Sequence, residues 1–264
     1  MLNQLIKYEF KATFKNFLLM FAILIFLAGL SKLLMLVKID TPWYHIFTTL
    51  FYVVDVILLI CVSFGSAIMV VMRIYKNMLK DEGYLTHTLP VKTWQHLFAK
   101  GLVGTVWIIL TFFVLFISVS LFFFDNDDYW NGLRDIVSSW GEYYSKSGWF
   151  VVVSILLVII LITQVVLNIN CVMAALSLGQ MFSKHRIAGS VLFWIIINYA
   201  TGTVTGLGQQ VVGPLIEDMG SLSRAQFKAA VLLGLIGIWL FDIIVAAIYF
   251  FIANYRMSKK LNLE

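Results

Sequence analysis

Hydrophobic residues are gathered into six long runs, and polar residues are largely confined to the intervals between them. The runs cover about 16–37, 46–72, 101–124, 149–182, 187–212 and 229–253. A helix needs roughly 20 apolar residues to cross the hydrocarbon core of a bilayer. The pattern therefore predicts an all-α integral membrane protein with six transmembrane helices. The fourth run is too long for one simple crossing, so we expect it to tilt or to extend into the cytoplasm.

The first 17 residues have a different pattern. Apolar side chains fall on one side of a helix and lysines on another, which is typical of a helix that lies in the membrane interface. The apolar set is Leu2, Ile6, Phe10 and Phe17, and the polar set is Gln4, Lys7, Lys11 and Lys15. We predict an N-terminal interfacial helix over residues 1–17, with a cytoplasmic extension of the first span as the alternative.

The composition excludes an ordinary soluble domain. Of the 264 residues, 61% are hydrophobic and 12% are charged, and the mean hydropathy is +0.92. Soluble domains carry roughly 25% charged residues. The intervals between runs leave no room for a soluble catalytic domain, so residues 1–264 are predicted to form a single transmembrane domain.

The basic residues indicate the orientation. With the N-terminus in the cytoplasm, 13 of the 19 Lys and Arg residues lie on the cytoplasmic side, as the positive-inside rule favours. Six spans then place both termini in the cytoplasm. The net charge of +5 is thus explained by topology, and we do not expect nucleic-acid binding. The six basic residues left outside are Lys32, Lys38, Arg134, Lys146, Arg224 and Lys228.

Two outer segments carry recognisable patterns. Residues 125–148 are acidic and aromatic, which suits a headgroup-level aromatic belt, either as a solvated loop with a short interfacial helix or as a lid that contacts cargo. In the fifth run, Gly202 and Gly206 are four residues apart and would allow close approach of another helix. The glycines from Gly206 onward and Pro214 predict a break in that helix, so residues 206–228 would form a re-entrant or outer segment.

Two acids, Asp55 and Asp242, lie inside predicted spans, where an ionisable side chain needs a partner or a cavity. They would form a polar patch in a substrate path or a proton site. Alternatively, each would tie two helices together by a hydrogen bond to the fourth span. The candidate partners there are Gln164, Asn168 and Asn170.

No motif for enzyme chemistry is present. The sequence contains no Gly-Lys pair, which excludes a Walker A phosphate-binding loop, and it has neither HExxH nor GxSxG. The two cysteines, Cys61 and Cys171, lie singly inside spans and indicate neither a disulfide nor a metal site. We therefore expect no catalytic residues, no metal and no enzymatic activity of the chain itself.

A polar, turn-rich interval separates the second and third runs. Residues 73–100 include "KDEGYLTHTLPV", in which Gly83 can end one helix and Pro90 prevents continuation. Thr93 can then begin the next helix as its N-cap. The interval predicts a cytoplasmic helix–turn–helix element that exposes Tyr84, Leu85, Leu89 and Trp94, which is the character of a docking surface.

This interval resembles the cytoplasmic segment between spans two and three of type-2 ABC (ATP-binding cassette) exporter permeases from Firmicutes-like bacteria. The resemblance is close over about 20 residues and extends loosely over the six-span layout; "LIKYEFKATFKNFL" at the start is also similar. Relatives often have a small hydroxyl residue where this chain has Lys92. The matching residues are Tyr75-Lys76-Asn77, Asp81-Glu82-Gly83-Tyr84-Leu85-Thr86 and Thr88-Leu89-Pro90-Val91.

The resemblance implies that residues 73–100 are a coupling segment that docks on a separate ATPase subunit. Asp81 and Glu82 would pair with basic groups there, and Tyr84, Leu85 and Leu89 would be buried anchors; Gly83, Thr88 and Pro90 complete the implied site. It further implies two ATPase subunits that carry ATP and Mg, a second permease subunit in a homo- or heterodimer, and a location in the bacterial plasma membrane. Gly202 and Gly206 would lie at the permease–permease interface.

The function implied is export of an apolar or amphipathic cargo, such as a peptide, an antimicrobial compound or a lipid, by alternating access. Two other classes stay open on the residues alone. One is a proton-coupled secondary transporter that uses Asp55 and Asp242, although no inverted repeat is evident. The other is a membrane subunit that senses or confers immunity and moves no cargo.

Overall fold

The computed structural model describes residues 2–37, 41–79, 91–123, 127–182, 185–217 and 223–259. Within these ranges the chain forms seven α-helices and no strand. They are α1 (Leu2–Leu36), α2 (Pro42–Leu79), α3 (Thr93–Phe122), α4 (Asp127–Lys146), α5 (Gly148–Gly179), α6 (Arg186–Glu217) and α7 (Arg224–Lys259).

Six of these helices are long and apolar enough to cross a membrane, which confirms the predicted all-α membrane architecture. The candidate spans are Leu2–Leu34, Pro42–Leu79, Thr93–Phe122, Gly148–Gly179, Arg186–Leu207 and Arg224–Lys259. A helix of 32 residues such as α5 is about 48 Å long, against about 30 Å for the hydrocarbon core. The spans therefore tilt or extend beyond the core, as expected for the fourth run.

Helix α4 occupies the outer interval in which a short helix was predicted. It has 20 residues, and Asp127 and Asp128 in its first turn interact favourably with the positive end of the helix dipole. Tyr129 stacks on Phe123 at 5.4 Å between ring centroids and hydrogen-bonds Ser120 at 3.0 Å. These contacts tie the start of α4 to the end of α3.

The helices pack into two compact units. Unit 1 comprises Met1–Arg73 and Leu102–Tyr143, and unit 2 comprises Ile74–Gly101 and Tyr144–Glu264. Helices α2 and α3 contribute to both, because the C-terminal end of α2 and the N-terminal end of α3 belong to unit 2. The six spans predicted as one domain are thus divided between two packing units.

In unit 1, the indole of Trp107 on α3 is the centre of an aromatic cluster. It stacks on Phe10 at 4.8 Å and on Phe17 at 4.5 Å, which lie two turns apart on α1. Its Nε1 donates to Thr13 Oγ1 at 2.8 Å, and Trp107 and Thr13 are both buried. An ion pair between Arg73 and Glu9, at 3.1 Å, joins α2 to α1.

This packing corrects the prediction for the N-terminus. Residues 2–17 do not form a separate helix, because α1 runs without interruption from Leu2 to Leu36. The apolar face that suggested contact with lipid includes Phe10 and Phe17, and both contact Trp107 instead. The alternative, an extension of the first span, is the one the structure supports.

The predicted break in the fifth span is also wrong. Helix α6 continues through Gly206, Gly213 and Pro214 to Glu217. Glycine and proline are tolerated in transmembrane helices because a bilayer offers the backbone no better hydrogen-bonding partners than the helix itself. Whether residues 218–222 form an outer segment lies outside the described residues.

Candidate functional site

Asp242 is the better connected of the two intramembrane acids. It lies in α7, 4% exposed, and its Oδ2 accepts a hydrogen bond of 2.8 Å from Nε2 of Gln164 on α5. The prediction that this acid ties its helix to the fourth span is confirmed, with Gln164 as the partner among the three candidates.

Further polar contacts join the same two helices. Trp239 Nε1 donates to Thr163 Oγ1 at 3.3 Å, and Asn170 Nδ2 donates to the carbonyl oxygen of Ala246 at 3.3 Å. Residue numbers in the three pairs differ by 76, 78 and 76. A nearly constant difference means that α5 and α7 run parallel and in register. Asn170 is thus a helix-linking residue, buried at 9% exposure.

The N-terminal ends of α5 and α7 are joined in the same register. Trp149 Nε1 donates to the carbonyl oxygen of Lys228 at 3.3 Å, and Lys228 Nζ lies 5.8 Å from the centroid of the Trp149 ring. Lys228 also donates to Ser147 Oγ at 3.5 Å. The polar contacts therefore extend from the start of α7 to its middle.

Helix α6 packs antiparallel to α5. Asn198 Nδ2 donates to Cys171 Sγ at 3.6 Å and to the carbonyl oxygen of Trp194 at 2.8 Å. At the other end, a Cβ added to Gly179 would lie 2.5 Å from the backbone nitrogen of Ser190. Only glycine allows this approach of the two helices.

Asn168 lies one turn beyond Gln164 on α5. Its Nδ2 donates to the carbonyl oxygen of Gln164 at 2.8 Å, and its side chain is exposed. It was predicted as a partner for an intramembrane acid, but its side chain hydrogen-bonds to its own helix. Asn198 was not singled out from the sequence, although a lone asparagine in "FWIIINYA" is as visible as Asn168.

Asp55 has a different environment, in unit 1. It lies in α2, 3% exposed, and its Oδ2 accepts a hydrogen bond from Ser31 Oγ on α1. The prediction of a partner in the fourth span is therefore wrong for this acid. Its Oδ1 is buried and has no hydrogen-bond partner among the residues that the structure describes. Ser31 could not be singled out from the sequence, because serine is common in transmembrane helices.

The residues implied to contact an ATPase lie outside the described residues. They are Asp81, Glu82, Gly83, Tyr84, Leu85, Thr88, Leu89 and Pro90. The helices on both sides of them are described. Helix α3 begins with Thr93 as its first helical residue, so its start lies within one residue of the prediction that made Thr93 the N-cap, and Trp94 is 40% exposed.

The helix ends that flank residues 80–90 are well packed. Met78 on α2 and Leu97 on α3 are fully buried, and Lys100 is 7% exposed. At Gly101, an added Cβ would lie 3.1 Å from Cε of Met173 on α5. These helix ends therefore pack within unit 2, together with α5, α6 and α7.

The glycines predicted for a permease interface lie on an uncovered part of α6. A Cβ added to Gly202 or Gly206 would meet no atom within 4 Å. The surface has room for a second helix, and contact with a second permease stays a prediction. Across the ranges that the structure covers, no three His, Cys, Asp or Glu side chains are grouped closely enough to hold a metal ion.

The chain was compared with family models, with curated proteins and with solved structures, and none of them matches. The resemblance carried by residues 75–91 therefore stays a prediction, and the functional argument depends on the residues and their packing.

Proposed function

We propose that the chain is the membrane subunit of an ATP-driven exporter whose ATPase is a separate protein. Two features support this proposal. Six candidate spans account for most of the chain, and a polar segment that resembles an ATPase-docking element interrupts them between α2 and α3. The absence of a Walker A motif from the sequence agrees with a motor on another chain.

The observation that carries the proposal is the packing of the helix ends on both sides of residues 80–90. Ile74–Leu79 and Thr93–Gly101 belong to unit 2, and Met78 and Leu97 at these ends are fully buried. Packed interiors have low compressibility and transmit displacement. A partner that moved residues 80–90 would therefore act on unit 2, and on α5 directly through the close approach of Gly101 to Met173.

The mechanism that follows is alternating access. ATP binding would draw two ATPase subunits together, and the coupling segments of two permease subunits would move with them. The spans would then favour an outward-open arrangement, because the ATP-bound motor binds that arrangement more tightly. With this mechanism we propose that the protein lies in the bacterial plasma membrane. Both of its termini are then in the cytoplasm.

The cargo proposed is apolar or amphipathic. The chain has 22 Phe, 8 Trp and 10 Met residues, and large apolar side chains are exposed along every candidate span. Such surfaces bind lipid, and they equally suit a hydrophobic peptide or an antimicrobial compound that enters from the bilayer.

Co-purification with an ATPase tests the proposal. The full chain is expressed with any ATPase that a neighbouring gene encodes and purified in mild detergent, and bound ATPase and ATP hydrolysis are measured. Tyr84→Ala with Leu85→Ala should remove most of the bound ATPase and leave insertion unchanged, because central aromatic and aliphatic anchors carry most of the energy of an interface.

The matched control is Tyr143→Ala with Val137→Ala, an aromatic and an aliphatic residue exposed on outer helix α4. It should retain the ATPase. Unchanged ATPase binding by the Tyr84 and Leu85 variant would overturn the docking assignment. If no ATPase binds the unmodified chain, the proton-coupled transporter that uses Asp55 and Asp242 becomes the better hypothesis.

A further inference from the structure

Two asparagines near the middle of unit 2 spans have exposed side chains. Asn198 lies about 2 Å along the helix from the midpoint of the Arg186–Leu207 span, and Asn168 lies about 7 Å from the midpoint of α5. A carboxamide exposed to hydrocarbon is costly, because lipid tails cannot form the hydrogen bonds that the amide makes to water. Their position therefore requires a polar neighbour.

The two asparagines belong to one group of polar side chains. Gln164, Asn168 and Cys171 follow one another at i, i+4 and i+7, so they share a face of α5. Asn198 on α6 contacts Cys171 at 3.6 Å, and Asp242 on α7 contacts Gln164 at 2.8 Å. Three helices thus contribute three carboxamides and one carboxyl group to a continuous polar strip.

Contacts within the helices leave part of the hydrogen-bonding capacity of this strip unused. Asn168 and Asn198 each donate one hydrogen bond of 2.8 Å to the carbonyl oxygen four residues earlier, and Asn198 also donates to Cys171 Sγ at 3.6 Å. A primary amide has two N–H donors and an oxygen that accepts two hydrogen bonds. The second N–H of Asn168 and the side-chain oxygens of both asparagines can therefore pair with a molecule that carries its own amide groups.

We propose that Asn168 and Asn198, on a polar strip that continues inward to Gln164 and Asp242, form a water-accessible site at membrane depth that binds the amide groups of an amphipathic, peptide-like cargo. This inference rests on the proposed export function and names the part of unit 2 that cargo contacts. Apolar side chains around the strip hold the hydrophobic part of the cargo, and the carboxamides hold its backbone. Leu161 lies about two turns from Asn168 on α5, and Ile195 lies about one turn from Asn198 on α6. Both are more than half exposed.

Cysteine accessibility tests the site without requiring an ATPase. In the full chain with Cys61→Ala and Cys171→Ala, Asn168→Cys and Asn198→Cys are treated with a charged, membrane-impermeant methanethiosulfonate reagent. The controls are Ile162→Cys and Ile196→Cys, exposed apolar positions of 44% and 51% on other faces of the same helices. Because a thiolate forms readily only in water, both asparagine positions should react at least about tenfold faster than their controls.

Equal reaction rates at all four positions would overturn water access and assign the asparagines to lipid or to a second copy of the chain. Thr205→Cys, two turns along the same face of α6, replaces Asn198→Cys if that variant fails to accumulate. The ligand class is tested by protection. N-decanoyl-glycylglycinamide should slow modification of Asn168→Cys, whereas decane should not; no protection by the amide would overturn the peptide-like cargo.

The outcomes separate this site from the export function. Labelling measures water access in the permease alone, whereas ATPase co-purification measures docking at residues 80–90. Loss of labelling with ATPase binding intact overturns the site only. Labelling without any bound ATPase overturns the exporter and leaves a polar site that another kind of transporter would use.

Discussion

The two units hold their helices together with different kinds of side chain. Unit 1 depends on large aromatic groups, with the indole of Trp107 between Phe10 and Phe17. Unit 2 depends on small residues and amides, with Gly179 against Ser190 and Gln164 bonded to Asp242. The first arrangement concentrates contact area in one residue, and the second distributes it along the helices.

This difference affects how strictly the helices are aligned. The polar pairs of α5 and α7 recur at residue-number differences of 76 to 79, so sliding one helix by a turn would break all of them together. Buried polar residues are known to define register in coiled coils. Stacked rings tolerate small slides, because dispersion contacts vary gradually with position. We infer that unit 2 has the better defined helix register.

The largest expected effect is in the aromatic cluster. Trp107→Ala should lower the free energy of unfolding by about 3–5 kcal/mol, because it removes a 3% exposed indole from a packed cluster. Trp107→Phe keeps a ring but loses the hydrogen bond to Thr13, and should cost about 1 kcal/mol. Denaturation of the full chain by SDS in mixed micelles measures both. A loss below 1 kcal/mol for Trp107→Ala would show that unit 1 does not depend on this residue.

A smaller loss of folding free energy is expected from adding a side chain at Gly179, where α5 and α6 approach closely in unit 2. In Gly179→Val, the new side chain would meet the backbone of Ser190, 2.5 Å from the Cβ position, so α5 and α6 must separate. Overpacking of this kind costs about 1–3 kcal/mol. The matched control is Gly202→Val, where no atom lies within 4 Å of the Cβ position.

The same SDS titration compares the two glycine variants. Gly202→Val should leave the monomeric chain within about 0.5 kcal/mol of the unmodified one, as surface substitutions usually do. Similar losses in both variants would mean that helix propensity, and not the contact with Ser190, determines the effect at Gly179.

Sequence alone was sufficient for the spans, and the reason is physical. In a bilayer every backbone polar group must be satisfied within the segment, so a long apolar run has essentially one available structure. The start of α3 was predictable to within one residue, because Pro90 and Thr93 mark the beginning of a helix. That Asp242 would need a polar partner followed from the cost of leaving an acid alone in a span, and the structure selects Gln164 from the three candidates.

What the sequence could not predict was the partner of each helix face. The apolar face that contains Phe10 and Phe17 has the same pattern whether lipid or Trp107 covers it. The pairing of Ser31 with Asp55 depends on how α1 and α2 align, and a common residue such as serine carries no signal of that alignment. The glycines and Pro214 of α6 suggested a break only because their propensities were measured in water.

The smallest of these effects tests whether the two intramembrane acids are independent. Gln164→Leu removes the amide that donates to Asp242 and should cost about 1–2 kcal/mol, since a buried acceptor loses its partner. Adding Asp242→Leu should restore most of that loss, because replacing both partners by apolar groups is nearly neutral. Asp55 lies in the other unit, so Asp55→Leu should not restore the stability lost in Gln164→Leu. The free-energy changes of the two substitutions should instead add. SDS titration of the three single variants and the two double variants completes both double-mutant cycles, and rescue by Asp55→Leu would contradict the separation of the two acids into independent polar contacts.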